Sequence, residues 1–312
     1  MTIFVFFALP SLKKNMHFLY GTGVAMVTPF TASGDVDFKA LEFLIDDLIS
    51  NGVNYLVALG TTGETPVLSK SEKKDIILCT YEKTSGRVPV VVGIGGNDTR
   101  SVLEDLSSYP LDKASAILSA SPYYNKPSQE GLLAHYKLLS THTPRPIILY
   151  NVPGRTGRNM SVSTTVELAQ SCDNIIAIKE ASGDMQQCMD ILRLVPENFI
   201  VVSGDDNLVI PQIACGMKGV ISVAANAYPL AFSKLVNHCL NGEFKEAKII
   251  NDKLMDAYQM MFEENNPAGI KCFLKNMGKM SEQLRLPLTP VSPILQERIS
   301  SWVTANASLL KP

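Results

Sequence analysis

The chain has 312 residues, 46% of them hydrophobic and 19% charged, a composition too apolar for intrinsic disorder and a length sufficient for a large core. Its 28 Lys+Arg against 30 Asp+Glu leave a formal net charge of −2, so no positive field draws it to nucleic acid or anionic lipid; a small-molecule partner is the expectation. Six cysteines lie without a C-x-x-C pair and four histidines form no metal-ligand cluster, which argues for reduced thiols in a cytoplasmic protein and against a zinc site.

The first segment, residues 1–15, begins with the apolar run Met1–Pro10, too short to span a bilayer. Lys13 and Lys14 follow that run, whereas a signal peptide carries its positive charge ahead of it. The segment is read as a non-structural leader with Met16 as the natural start. From Met16 onward one pattern recurs: a short β-branched apolar run, a polar Gly/Pro/Ser turn, then a stretch of helical periodicity. Candidate strands are Gly23–Thr28, Tyr55–Gly60, Pro89–Ile94, Ser115–Ser121, Pro146–Asn151, Ile175–Lys179, Phe199–Gly204 and Gly219–Ala224. They are apolar throughout, as strands covered on both faces should be.

Between the strands, Phe38–Ser50 is the clearest helix, with Leu41, Leu44, Ile45 and Leu48 on one face and Asp46 and Asp47 on another. Other helices open with caps: Ser69 or Ser71 before Glu72, Ser128 before Gln129 and Glu130, Ser161 or Ser163 before Val166–Leu168. Gly93-Ile94-Gly95-Gly96 only weakly echoes a dinucleotide-binding turn, and its glycines are read as allowing close approach at a strand end. Beyond about residue 240 strand signals stop, and Glu243–Glu264, Ala268–Met277 and Ile294–Ala307 read as helices. Eight strand–helix alternations point to an α/β fold, a closed parallel (β/α)8 barrel over residues 16–240, followed by C-terminal helices over 241–312.

Barrel enzymes place their chemistry on the loops after the strands, so the residues just past each apolar run are the informative ones. Lys179 ends a run that the barrel buries, where lysine is seldom tolerated without a partner or a task. It either pairs with Glu180 or serves as an amine nucleophile that forms a Schiff base with a carbonyl substrate. The second role needs a neutral amine, and a free lysine side chain, with an ordinary pKa near 10.4, is neutral in only about one molecule in 2,500 at pH 7. Tyr150 and Tyr124 also end apolar runs; each is a proton-relaying phenol or a core aromatic with a satisfied hydroxyl. Thr61 and Thr62 lie between Gly60 and Gly63, so hydroxyls and backbone N–H groups could face a small carboxylate, or the segment is a plain βα turn. Arg155, after Pro153 and Gly154, offers a planar fork to a carboxylate, or is an ordinary surface arginine.

In order and spacing, Gly60-Thr61-Thr62-Gly63-Glu64, the run Ser121–Gly131, the run Tyr150–Gly157, Ile178-Lys179-Glu180-Ala181 and Ser203-Gly204-Asp205-Asp206 resemble the dihydrodipicolinate synthase family of pyruvate-dependent aldolases. The match runs over residues 21–290. The resemblance implies a homodimer, or a homotetramer built as a dimer of dimers, that condenses pyruvate with L-aspartate 4-semialdehyde. That reaction gives 4-hydroxy-tetrahydrodipicolinate, the first committed step of lysine biosynthesis through diaminopimelate. It further implies that Lys179 forms the imine and that Tyr150, Thr62 and Tyr124 make a proton relay, with Tyr124 reaching in from the neighbouring subunit. Thr61 and Thr62 would hold the pyruvate carboxylate, Arg155 would bind the second carboxylate, and Gly204 and Ile221 would present backbone carbonyls nearby. No metal or organic cofactor is implied.

N-acetylneuraminate lyases and 2-keto-3-deoxy sugar-acid aldolases share the lysine, the tyrosine and the Gly-Thr turn; Arg155 favours the short carboxylated aldehyde. A non-catalytic binding barrel of the same ancestry should have lost Lys179, Tyr150, Tyr124 or Thr62, and has lost none. Lysine-inhibited members of one branch carry histidines where Lys70 and Lys73 stand and an acid where Ser101 stands. Two cations there should disfavour a cationic effector, so weak lysine feedback is expected even though Asn97 and Tyr123 are kept. Gly269 stands where a proline is frequent, which bears on where the next helix starts.

Overall fold

Val- and Ile-rich runs buried on both faces form the staves of a closed barrel in the computed structural model, which describes residues 16–310. The reading of residues 1–15 as a leader falls outside the described residues. The first half runs β1 (Gly21–Ala25), α1 (Phe38–Ser50), β2 (Tyr55–Ala58), α2 (Lys70–Thr84), β3 (Val90–Gly93), α3 (Thr99–Ser108), β4 (Ala116–Ala120) and α4 (Gln129–His142). The second half continues with β5 (Ile147–Asn151), the short α5 (Pro153–Thr156), α6 (Val162–Ser171), β6 (Ile175–Glu180), α7 (Met185–Leu194), β7 (Ile200–Ser203), α8 (Val209–Ala214), β8 (Gly219–Ser222) and α9 (Pro229–Leu240). Three more helices follow: α10 (Phe244–Phe262), α11 (Ala268–Asn276) and α12 (Pro293–Ala305).

All eight strand pairings are parallel, and β1 closes on β8 through Gly21↔Gly219 to Val24↔Ser222. Most of the strands expected from the sequence overshoot the ladder at its carboxyl end, because burial continues beyond pairing: Met26 and Val27 are as buried as β1 itself. Ser69 and Ser161 are the caps, Ser69 in a reciprocal box with Glu72. At Gly93 a Cβ would lie 2.1 Å from the Leu59 carbonyl oxygen, the close approach that the glycine permits. Despite Gly269, α11 begins at Ala268. No described helix is long and apolar enough to cross a membrane.

Strand alternation divides the apolar side chains into two cores. Leu56, Val90, Val92 and Leu149 face the helices, while Tyr55, Val57, Val91, Ile148 and Ile221 fill the barrel. The loops at the carboxyl end of the barrel stand over this inner core, and the C-terminal helices pack beside them.

Candidate active site

Which way Lys179 points is decided by a register shift. β5 and β6 pair as Ile147↔Ile175 and then as Ile148↔Ala177, so one extra residue, Ile176, bulges from β6. Ile176 and Ala177 both join the inner core while Ile178 faces out. Strict alternation from Ile175 would have turned Lys179 outward; the bulge turns it inward and sets it opposite Tyr150. Its Nζ lies 4.4 Å from the centre of the Tyr150 ring. Lys179 is 4% exposed, and among the described residues its ammonium makes no hydrogen bond or ion pair. The Tyr150 hydroxyl likewise has no hydrogen-bond partner among them, so the satisfied core aromatic is not what the fold builds.

The alternative in which Lys179 pairs with Glu180 fails for the same geometric reason. Glu180 faces the helices and is fully buried. Its carboxylate accepts from Asn151 Nδ2 at 3.1 Å, from the Ser182 N–H at 2.8 Å and from Gln187 Nε2 at 3.2 Å. Asn159 completes the network, accepting from Asn151 and donating to Gln187. Burial pushes the Glu180 carboxyl up, opposed by these donors. Because Asn151 is the register partner of Glu180, the network ties β5 to β6 one residue beyond the Tyr150–Lys179 pair.

Thr61–Gly63 is one turn of 3₁₀ helix, followed by Glu64 in the left-handed region at φ 53°. Thr28 Oγ1 donates to the Gly63 carbonyl at 2.7 Å, which pins the turn to the end of β1. The N–H groups of Thr61 and Thr62, first in the turn, have no acceptor within it. Thr62 is 1% exposed, and its Oγ1 accepts from Asn266 Nδ2 at 3.1 Å. Arg155 is exposed, and its guanidinium reaches the Asn266 carbonyl at 3.1 Å. A cavity of about 300 Å³ opens here, lined among others by Gly60, Thr61, Lys73, Tyr123, Tyr150 and Arg155.

Gly204 stands against the lysine: a Cβ there would lie 3.0 Å from Lys179 Cε and 2.5 Å from Ala181 Cβ, so only glycine leaves the amine its place. Ile221 is an inner-core residue of β8. Beyond Gly204, burial pushes the Asp206 carboxyl up to about 6 and raises Asp205 as well, with the Lys179 charge opposing both shifts. The fold thus brings Lys179, Tyr150 and Gly204 together, and brings Thr62 and Arg155 to a shared partner, Asn266. It does not bring in Tyr124, which is 87% exposed with φ 70°; Tyr123 lines the cavity instead.

Sequence reasoning missed two residues. Asn266 gains its place from a contact across 204 positions that no local pattern announces. Lys271 sits among Ile270, Cys272, Phe273 and Leu274 in a fully buried stretch of α11, and a lysine in such an apolar run was a usable signal. Its ammonium pairs with Glu64, with both side chains fully buried, and donates to the Gln283 carbonyl at 2.9 Å.

A family model described as the dihydrodipicolinate synthetase family matches residues 19–306. A 4-hydroxy-tetrahydrodipicolinate synthase of Parabacteroides distasonis is 47% identical over 281 residues, 90% of this chain and 95% of that relative. The crystal structure of dihydrodipicolinate synthase from Aquifex aeolicus superposes with a TM-score of 0.90 at 37% identity, covering 94% of this chain and all of that one (100%). A chloride-inhibited dihydrodipicolinate synthase from Acinetobacter baumannii, complexed with pyruvate, gives a TM-score of 0.90 at 37% identity over 93% of this chain and 99% of that one.

Proposed function

The chain belongs to the dihydrodipicolinate synthetase family, and we propose that it is a lyase that condenses pyruvate with L-aspartate 4-semialdehyde through a Schiff base on Lys179. The product is 4-hydroxy-tetrahydrodipicolinate, the first committed step of diaminopimelate and lysine biosynthesis. The observation that carries the reading is a buried amine, without a hydrogen-bond acceptor among the described residues, that lies over the ring of Tyr150, itself part of the cavity wall.

In this reading the Lys179 amine adds to the pyruvate carbonyl carbon, and the carbonyl oxygen leaves as water to give the imine. Loss of a methyl proton gives the enamine, whose carbon attacks the aldehyde carbon of the second substrate while the aldehyde oxygen takes up a proton; the amino group of that substrate then adds to the imine carbon, closing the ring and expelling the Lys179 amine. Tyr150 and Thr62 serve these proton transfers together with Tyr124, and a phenol suits the task because it does not pair with the lysine as a carboxylate would. Thr61 and Thr62 hold the pyruvate carboxylate with the free N–H groups of their turn, and Arg155 meets the second carboxylate at the mouth. The backbone carbonyls of Gly204 and Ile221 stand by the reacting centre. The protonated imine is itself the electron sink, so the chemistry calls for no metal or organic cofactor.

The exposure of Tyr124 supports a homo-oligomer in which this residue completes the site of a second copy, a tetramer arranged as a dimer of dimers. Six free cysteines suit a cytoplasmic enzyme. Arg155 at the cavity rim favours a carboxylated aldehyde over a sugar. Supplying pyruvate with either L-aspartate 4-semialdehyde or N-acetylmannosamine tests the choice of acceptor. Condensation with the semialdehyde alone is expected, and turnover restricted to the sugar would overturn the assignment.

A further inference from the structure

We propose that Asn266, in the loop that leads into α11, is a positioning residue that sets the direction of proton donation at Thr62. Its side-chain amide donates to Thr62 Oγ1 at 3.1 Å, and both residues are almost wholly buried. A hydroxyl that accepts from a fixed donor keeps its own proton for another acceptor. With the Asn266 amide as its donor, Thr62 keeps its own proton to give away, and in the relay proposed above it gives it toward Tyr150 and the substrate oxygens. This rests on the relay role assigned to Thr62 above.

Three further contacts hold the segments that carry this bond, the first of them at the Asn266 backbone. The Asn266 carbonyl accepts from Arg155 at 3.1 Å, so one residue grips both the relay threonine and the rim arginine. Five residues on, Lys271 forms its buried ion pair with Glu64, two residues after Thr62. Glu64 also accepts from the Arg285 N–H at 3.2 Å. Glu64 thus anchors the turn to the C-terminal region, while Arg155 holds the backbone of Asn266. Among the described residues the other end of the amide, Oδ1, is buried without a partner, a cost that a side chain kept for packing alone has no reason to carry. Asn266 is held for its donor end.

The prediction depends on hydrogen-bond direction and not on volume. Aspartate has the shape of asparagine but, when ionised, only accepts; N266D forces the Thr62 proton backward and should lower kcat by about 10²-fold at neutral pH with little change in KM for pyruvate. The loss should shrink as the pH falls and the new carboxyl protonates, because the acid form can donate again. N266A, which frees the hydroxyl to rotate, should lose less than N266D although it removes more atoms. N266A falling below N266D at neutral pH, or an N266D profile parallel to the unsubstituted enzyme, overturns the proposal. Should N266D not fold, a cycle of N266A, T62V and the pair decides. N266A should cost nothing more once the hydroxyl is gone, and an equal factor in both backgrounds overturns the assignment. Absence of synthase turnover in the unsubstituted enzyme would instead refute the proposed function.

Discussion

Among the described residues two lysines are buried, and each lies over an aromatic ring: Lys179 at 4.4 Å from the centre of Tyr150, Lys271 at 4.3 Å from that of Phe30. Their polar surroundings are opposite. Lys271 has a carboxylate, Glu64, and a carbonyl, Gln283, and burial pulls it down to about 8 against the attraction of Glu64. Lys179 has no acceptor within hydrogen-bond reach among the described residues, and the nearest glutamate in sequence is turned away to three donors of its own. Burial alone therefore does not mark a reactive amine. A buried lysine whose acceptors are all present is a rivet, and one from which they are withheld is available for covalent chemistry.

The contrast can be broken by exchanging what each lysine loses on substitution. Lys179→Ala should abolish condensation, by about 10⁴-fold or more, with little change in melting temperature. A large fall in stability would make Lys179 structural after all. Lys271→Met should act the other way round, costing about 3–5 kcal/mol by leaving Glu64 buried and unpaired. Chemical denaturation measures that loss, and adding Glu64→Gln should recover part of it.

His135 sharpens the comparison as another buried base, hydrogen-bonded to Thr99 Oγ1 at 2.9 Å. Burial holds its imidazole down to about 4. The unfolded chain takes up the proton near pH 6.5 while the folded one does not, so the stability present above pH 6.5 is lost as the pH falls toward 4. The loss is about 3 kcal/mol. A pH series of denaturation midpoints should show that decline, and a flat series for the unsubstituted protein would contradict it.

Smaller effects are expected from the neighbours of Lys179. Glu180→Gln sets an amide among donors and should cost about 1–3 kcal/mol of stability, yet leave pyruvate adduct formation intact because Glu180 faces the helices. Adduct formation lost in a folded variant would mean that Glu180 acts on the amine directly. The smallest effect concerns feedback. Lys70, paired with Asp105 at 3.3 Å, and the half-buried Lys73 beside the same carboxylate should keep lysine from inhibiting. Inhibition by sub-millimolar lysine in initial-rate assays would contradict this.

Much of this architecture is legible in the amino-acid order. Apolar runs and caps locate the eight strands and most helices, because a strand buried on both faces and a serine ahead of a helix leave local marks; α1 matches at both ends. The position of Lys179 at a strand end was legible too. Its direction was not, since nothing in Ile175–Ile178 announces that Ile176 will bulge against β5. The Glu180 network and the Asn266–Thr62 bond were equally hidden, because each joins side chains that only the closed barrel and its C-terminal helices bring together.

The most direct test of the difference between the two lysines is to incubate the folded enzyme with pyruvate and borohydride and map the modified peptide. A single pyruvate adduct is expected, on Lys179 and never on Lys271. No adduct, or one on any other lysine, would contradict the claim that a buried amine deprived of acceptors is the nucleophile.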